Sequence, residues 1–146
     1  MKCTRIFSLL IILGLAAPFG CQTETVPPLR EVTYASRLSD EPVLVQVIQT
    51  PGIPVEAARA AVLQATKKRG WKVESLDNGD VRTSLVHRIS DATLTFTFSD
   101  GKVEVYSVSY KIDKNTQARI EREEPEGWIR NIHKDVLALL GLLPTA

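Results

Sequence analysis

The segment 71–110 constrains the fold more than any other part of this chain, because its apolar and polar residues alternate between closely spaced turn signals. From Ala92 to Phe98 every second residue is apolar, and the residues between them are threonines. A period of two is typical of a strand with one face in the core and one toward solvent. Turn-forming residues interrupt the segment at three places, which are Asp77-Asn78-Gly79-Asp80, Ser90-Asp91 and Ser99-Asp100-Gly101. The pattern therefore predicts an antiparallel meander.

Two of the turn signals also predict a backbone conformation. Asn78-Gly79 favours a type I′ turn, because both residues adopt positive φ at low cost. Gly101 suits the left-handed position of a slightly longer hairpin loop. The strand between the first two turns is expected to direct one set of side chains to the core and another away from it. The two sets are Val81, Leu85, His87 and Ile89, and Arg82, Ser84 and Arg88.

The last strand of the meander is less regular than the others. Val103 and Val105 are in phase with each other, whereas Tyr106, Val108 and Tyr110 are one residue out of phase. Two structures explain such a shift, either a β-bulge near Val105 or a strand that is covered on both faces. The sequence alone leaves both open.

Helical and strand patterns flank the meander. A β-branched run at 43–49 predicts a first strand, and a helix is predicted to start at Pro54 and end at Gly70. A second helix is predicted from Pro125 to Gly141. The polar segment 111–124 is expected to be a loop, with a short strand at 118–120 as the alternative.

The order of these elements is strand, helix, four strands and helix. We therefore predict an α+β fold, a two-layer sandwich whose antiparallel sheet of about five strands carries two helices on one face. The side chains expected to meet in its core are Trp71, Leu85, Leu94, Phe96, Trp128 and Val136. About a hundred residues can supply roughly 5 to 15 kcal/mol of stability without disulfides or metal. Residues 43–146 are accordingly predicted to form a single domain.

The first twenty residues have the composition of an export signal. Lys2 and Arg5 precede an apolar run, 6–17, that is too short to span a bilayer comfortably. We interpret residues 1–20 as a signal peptide. A buried amphipathic helix is the alternative, and it is disfavoured because the run is apolar on all sides.

The end of this signal resembles the lipobox of bacterial lipoproteins, in which a cysteine after a small residue is lipidated and begins the mature chain. Gly20 and Cys21 match that pattern, whereas Pro18 and Phe19 do not. Cleavage after Ala17 is the alternative, and it would leave Cys21 as a free thiol because the only other cysteine departs with the signal. The resemblance implies a lipid anchor on Cys21.

Residues 21–42 are interpreted as the lipidated cysteine and a flexible tether. Each buried methylene of an acyl chain contributes ~0.8 kcal/mol, so several chains would hold the protein at a membrane essentially permanently. In the lipoproteins that the lipobox resembles, the residue after the cysteine influences sorting, and an aspartate there is a retention signal. Gln22 is not that aspartate, so the resemblance implies the outer membrane, facing the periplasm of the cell envelope. Without Lys2 and Arg5, 16 basic residues face 17 acidic ones, and this balance gives no electrostatic case for nucleic acid.

Several short motifs between Pro54 and Leu140 together resemble a family of small exported bacterial lipoproteins that has no assigned activity. The motifs are Gly70-Trp71-x-Val73, the strand 82–89 with His87-Arg88, Tyr106-x-Val108-x-Tyr110 and Trp128-Ile129. Family members often carry an arginine before the histidine, whereas here Arg88 follows His87. The resemblance implies an envelope protein and assigns no reaction to it.

Motifs for catalysis or cofactor binding are missing from the sequence, including Gly-rich phosphate loops, His-Glu-x-x-His, Cys-x-x-Cys and Gly-x-Ser-x-Gly. His87 is interpreted as a packed core or rim residue rather than a general base, and His133 as solvated. The acidic cluster at 121–126 and the basic triplet at 67–69 both suit the nearby helix ends. A metal or cationic partner and a phosphate or lipid headgroup are the respective alternatives. We therefore expect no enzymatic activity, no metal and no cofactor.

Two functions remain. The first is a membrane-tethered interaction module that presents a sheet face or edge to an envelope protein. The second is a small-ligand or lipid carrier with a pocket between the sheet and the C-terminal helix. The candidate residues for this surface or pocket are Trp71, Arg82, His87, Arg88, Tyr106, Tyr110 and Trp128.

Overall fold

The computed structural model describes residues 38–143, so the predicted signal peptide, Cys21 and most of the predicted tether lie outside the described residues. Its elements are β1 Val43–Gln49, α1 Val55–Lys68, β2 Lys72–Ser75, β3 Val81–His87, β4 Ser90–Ser99, β5 Lys102–Ile112, β6 Arg119–Arg122 and α2 Glu126–Leu139. The strands form one antiparallel sheet in the order β1-β5-β4-β3-β2, and β6 pairs with β5. The predicted α+β sandwich is confirmed, with six strands in place of about five.

The alternation in β4 has the predicted consequence. Ala92, Leu94 and Phe96 are fully buried, and the threonines between them lie on the opposite face. β4 pairs with β5 in a single register from Ser99 and Lys102 at the turn to the far ends of both strands. The core therefore lies on one face of the sheet, beneath the two helices.

The two helices cover this face with side chains of different size. α1 contributes a stripe of small buried residues, namely Ala58, Ala61, Val62, Ala65 and Thr66. α2 contributes Ile129, Ile132 and Val136. In the first turn of α2, Ile129 is the buried side chain. The sequence pattern had predicted Trp128 for the core, but Trp128 is only half-buried.

The turn between β2 and β3 differs from the predicted type I′ turn. Gly79 has a φ of 86°, but Asn78 does not have positive φ. The N–H of Gly79 donates to the Leu76 carbonyl at 2.9 Å, and the Asn78 side-chain oxygen accepts the N–H of Asp80 at 3.0 Å. The prediction of positive φ at both residues was wrong, because the Asn78 side chain holds the backbone in another conformation.

The turn between β3 and β4 lies at Arg88 and Ile89, two residues before the predicted Ser90-Asp91. Arg88 has a φ of 56°, which is uncommon for a residue other than glycine. The pairing of Leu85 with Ala92 sets this register, since both then face the core. Burial of alternate side chains therefore outweighs the turn preference of Ser90 and Asp91.

The sequence left two explanations for the irregular pattern of β5, a bulge near Val105 and a strand covered on both faces. The bulge lies in β1, between Leu44 and Gln46, and β5 itself runs without one near Val105. Beyond β1, Tyr110 and Ile112 are 0% and 3% exposed on the face opposite the helices. The alternative of a strand covered on both faces is therefore confirmed for the second half of β5.

β6 forms where the sequence predicted a loop, and it occupies the part of the β5 edge beyond β1. The connecting turn is held by Asp113, whose carboxylate accepts the N–H groups of Asn115 and Thr116, each at 2.8 Å. These backbone donors lower the pKa of Asp113 below its usual value. β6 spans 119–122 in place of the short strand considered at 118–120.

Candidate functional site

Trp71, His87 and Trp128 come together at one margin of the core and are named here the aromatic cluster. Trp71 is 5% exposed, and its ring packs perpendicular to that of Trp128 with 5.8 Å between centroids. The His87 ring lies 6.3 Å from the Trp128 ring on the exposed side. His87 is therefore a rim residue, and Trp71 belongs to the packed interior.

Tyr106 and Arg82 lie on the other face of the sheet. Both pair with Thr95 in adjacent strands, and Thr95 points away from the helices. Tyr106 therefore cannot line one pocket with Trp71, as the carrier hypothesis required, because the sheet separates the two side chains. Arg88 lies in the β3–β4 turn, directly after His87.

Tyr110 is fully buried and fastens the segment 39–41 to the sheet. Its hydroxyl donates its single proton to the Asp40 carboxylate, and the Ser39 carbonyl oxygen lies 3.0 Å from the same hydroxyl oxygen. The Arg119 guanidinium lies 4.1 Å above the tyrosine ring, a favourable cation–π arrangement. The last residues of the predicted tether are thus bound to the domain, and Tyr110 is not available on an open surface.

Arg122 fills the gap between β1 and β6. Its Nη1 donates to the Ser39 and Glu41 carbonyls at 2.6 and 3.0 Å, and its Nη2 donates to the Ser107 carbonyl at 2.5 Å. Its Nε donates to Glu124 Oε1 at 3.0 Å. One guanidinium therefore joins the segment 39–41, β5 and Glu124, two residues before α2, and the Arg122 side chain is only 17% exposed.

Burial raises the pKa of Tyr110, and the hydrogen bond to Asp40 raises it further, against the opposing charges of Arg119 and Arg122. A raised pKa contributes stability that is fully present below the unfolded value of about 10 and is lost as the pH rises through the folded value. We expect the urea midpoint to fall more steeply above pH ~10 in the native protein than in Tyr110→Phe. Urea titrations followed by circular dichroism measure this, and parallel profiles would contradict it.

A cleft of about 350 Å³ lies between β1 and the start of α2. Its lining residues are Val45, Gln46, Glu124, Glu126, Ile129 and Arg130. The cleft does lie between the sheet and the C-terminal helix, yet no residue of the aromatic cluster lines it. Its polar groups are two carboxylates, an amide and a guanidinium.

Glu124 is the least satisfied polar residue of this cleft. Its Oε1 accepts from Arg122, while its Oε2 is buried and has no hydrogen-bond partner among residues 38–143. Glu126 and Arg130 form no ion pair within the same described range. Glu124 Oε2 is therefore a buried acceptor that is closed off from solvent and has no donor among the described residues.

β1 is an edge strand and pairs only with β5 in the part of the chain that is described. Because Thr50 donates its N–H to the Gly101 carbonyl, strand alternation directs the backbone groups of Val47 and Gln49 away from β5. The Gln46 side-chain amide donates to the Val47 carbonyl at 2.9 Å. Among residues 38–143, no strand lies beside the remaining outward groups of β1.

The two edges of the sheet differ in how they are protected. β2 is four residues long and carries Lys72 and Glu74, which is how natural sheets discourage pairing with other chains. β1 is seven residues long, has no charged residue, and exposes 49% of Val43 and 47% of Leu44. The β1 edge is therefore the one suited to pair with another strand.

Sequence reasoning recognised the acidic cluster at 121–126 but did not connect it with the first strand. Gln46, Glu124 and Arg130 are distant in sequence, and each has an ordinary local explanation. The signal that could have found the site is the uncharged strand 43–49, which lacks the protection expected of an edge.

No protein-family model, curated protein or solved structure matches the chain. Between Leu38 and Leu143, no three histidine, cysteine or acidic side chains are grouped so that they could hold a metal ion. The helices of this range are too short or too polar to cross a bilayer. Within residues 38–143, the β1 edge lies beside a partly polar cleft.

Proposed function

We propose that the protein is a membrane-anchored envelope protein whose domain is a non-catalytic interaction module. In this proposal β1 pairs with an extended segment of a partner protein, which adds a strand to the sheet. The carrying observation is the uncharged β1 edge, with outward backbone groups at Val47 and Gln49. The lipid anchor on Cys21 and the location in the outer membrane, facing the periplasm, rest on the signal peptide and lipobox.

The physical basis is the hydrogen-bonding capacity of an unpaired strand. Each backbone hydrogen bond to an added strand contributes about 1 kcal/mol net, and the exposed Val43 and Leu44 offer apolar area at one end of β1. β1 is long enough for several such bonds. An unprotected edge strand promotes aggregation unless a partner covers it. We therefore expect a partner to cover the β1 edge.

The carrier alternative has less support. A pocket for a small ligand or lipid is enclosed and mostly apolar. Four of the six residues that line the cleft are polar or charged, and the aromatic cluster is packed on itself through Trp71 and Trp128. These features favour contact with a polypeptide over storage of a lipid.

Replacing Gln49 with proline is expected to reduce partner binding by at least about tenfold, because it removes an outward N–H and places a ring at the edge. Sheets accept proline on an edge strand where the N–H faces solvent, so the fold is expected to persist. The measurement is quantitative mass spectrometry of proteins that copurify with the tagged full-length chain from its own host.

Ser75→Pro is the matched control at the other edge of the sheet. Leu76 donates its N–H to the Asp80 carbonyl, so alternation directs the N–H of Ser75 away from β3. This variant is expected to retain the partner. Equal recovery of every copurifying protein with Gln49→Pro, Ser75→Pro and the native chain would refute pairing through β1.

A further inference from the structure

We infer that the strand paired with β1 is β1 of a second copy of this chain, arranged antiparallel about a twofold axis. The axis lies between Ile48 and the same residue of the second copy and runs perpendicular to the sheet. This inference rests on the proposed function, because it uses the same strand edge. It adds the identity of the partner, which the edge alone does not determine.

The first support is the hydrogen-bonding pattern of β1. Its outward backbone groups belong to Val47 and Gln49, with Ile48 between them. A twofold axis at Ile48 therefore places Val47 of each copy opposite Gln49 of the other. Every outward N–H and carbonyl of these two residues then meets a partner. The Gln46 amide does not prevent this, because it uses one of the two acceptor sites of the Val47 carbonyl and leaves the other.

The neighbouring positions of the axis pair these groups less completely. An axis at Gln49 would place Val47 opposite Pro51, which has no N–H. An axis at Val47 would place Gln49 opposite Val45, which has no partner in β5 because it lies in the bulge of β1. The backbone of β1 is thus matched to itself in one register, with the axis at Ile48.

The second support is charge. The segment 43–55, which contains β1 and the turn after it, has no charged residue. Two copies can therefore pair along it without bringing like charges together, which would destabilise cross-strand pairs. The cleft beside β1 has no net charge once Arg122, which pairs with Glu124, is counted with its lining residues. β2, at the other edge, carries Lys72 and Glu74 and lacks this property.

The third support is the placement of the segment 39–41. It contacts Tyr110 on the face of the sheet opposite the helices. An axis perpendicular to the sheet keeps this segment on the same face in both copies, so both proposed lipid anchors can enter one membrane. A shared membrane raises the effective concentration of the second copy. This matters because a contact through seven residues is smaller than a standard interface of ~800 Å² per partner.

The experiment co-expresses two full-length copies with different affinity tags in their own host, one with Val47→Cys and the other with Gln49→Cys. The inferred register places these cysteines directly opposite each other, about 5.5 Å apart between Cα atoms, which a disulfide can span. Two copies of the same variant place their cysteines diagonally, about 7–8 Å apart and beyond that span. Isolated membranes are mildly oxidised, and covalent dimers that carry both tags are measured on non-reducing gels.

Two controls define the background of this measurement. The native chain on both tags reports any disulfide formed through Cys21, and Ser75→Cys on both tags places a thiol at the other edge of the sheet. A second measurement needs no cysteine substitution. Each tag on the native chain is expected to recover the other copy from detergent-extracted membranes, and Gln49→Pro on both copies is expected to reduce this recovery about tenfold.

The expected result is at least about fivefold more covalent dimer from the Val47→Cys and Gln49→Cys combination than from either variant on both tags or from the controls. Such an excess depends on the register of the two strands. Random collision of exposed thiols would give similar amounts in every combination.

Two results would overturn the inference. Equal amounts of covalent dimer from the mixed and the matched cysteine combinations would refute the twofold pairing at Ile48. Native copies that do not recover each other, while Gln49→Pro still removes a different protein, would refute the second copy and leave pairing through β1 in place. If Gln49→Pro removes neither the second copy nor any other protein, the interaction module itself is refuted.

Discussion

Replacing Trp71 with alanine is expected to lower the free energy of unfolding by about 3–5 kcal/mol, the range for a large aromatic residue removed from a core. Trp71 is 5% exposed, packs at a right angle on Trp128 and lies within the main hydrophobic cluster. Such a loss is a large fraction of the 5–15 kcal/mol typical of a domain. A loss of this size would show that Trp71 stabilises the core and does not cover a ligand pocket.

Urea titration followed by circular dichroism measures this effect, because the substitution also removes a fluorophore. Trp128→Ala is the control at a half-buried position and is expected to cost less. The double variant should reveal a coupling of about 0.5–1.5 kcal/mol for the perpendicular pair. If Trp71→Ala leaves the free energy of unfolding within ~1 kcal/mol of the native value, the core assignment is wrong. Trp71→Phe provides a milder form should the alanine variant not fold.

Replacing Arg122 with methionine is expected to cost about 3 kcal/mol of stability, because it leaves a partly buried carboxylate and three carbonyls without their donor. The native side chain bonds to Ser39, Glu41, Ser107 and Glu124 and is only 17% exposed. Methionine has a similar length, so the loss reports the hydrogen bonds more than the packing. Chemical denaturation gives the free energy of unfolding.

Two further variants test which property of Arg122 causes the loss of stability. Arg122→Lys keeps the charge but cannot supply the fork of donors, so an intermediate cost is expected. Arg130→Met removes an exposed arginine of the cleft and is expected to change stability by less than about 0.5 kcal/mol. Equal stability of Arg122→Met and Arg130→Met would show that the bonds drawn from Arg122 do not stabilise the fold.

Arg122 also has a bearing on the proposed function, since it contacts both the segment that leads to the tether and the cleft. It binds the carbonyl of Ser39 on one side and the carboxylate of Glu124 on the other. Loss of Arg122 would therefore disturb the attachment of the segment 39–41 and remove the ion-pair partner of Glu124 at the same time. Substitutions at Glu124 separate the two effects.

Much of the local structure was predictable from the chain. β1 has the bounds that its β-branched run predicted, and the alternation of β4 identified its buried face. These features depend on spacing within a few residues, which strand and helix geometry convert directly into a buried side. Gly101 in the β4–β5 turn has the predicted left-handed conformation, with a φ of 73°. The prediction of a slightly longer loop was wrong, because only two residues separate the strands.

The features that the sequence did not predict depend on strand pairing between residues that are distant in the chain. β6 has no alternation of its own and forms because β5 extends beyond β1 and needs partners for its backbone groups. Arg88 takes a left-handed conformation because pairing of β3 with β4 places the turn there, whatever the local residue preferences. Neither outcome can be deduced from the residues of the turn or strand alone.

The same distinction between local pattern and tertiary packing applies to the candidate site. The sequence by itself determined a two-layer sandwich with an uncharged first strand, an acidic stretch at 121–126 and a set of aromatic residues in the core. Only the tertiary structure decided that Tyr110 would be covered by the segment 39–41, and that Glu124 would lie beside Gln46 across a cleft. The physical reason is that periodicity is a property of neighbours in the chain, whereas a cleft joins elements whose proximity depends on the packing of the whole sheet.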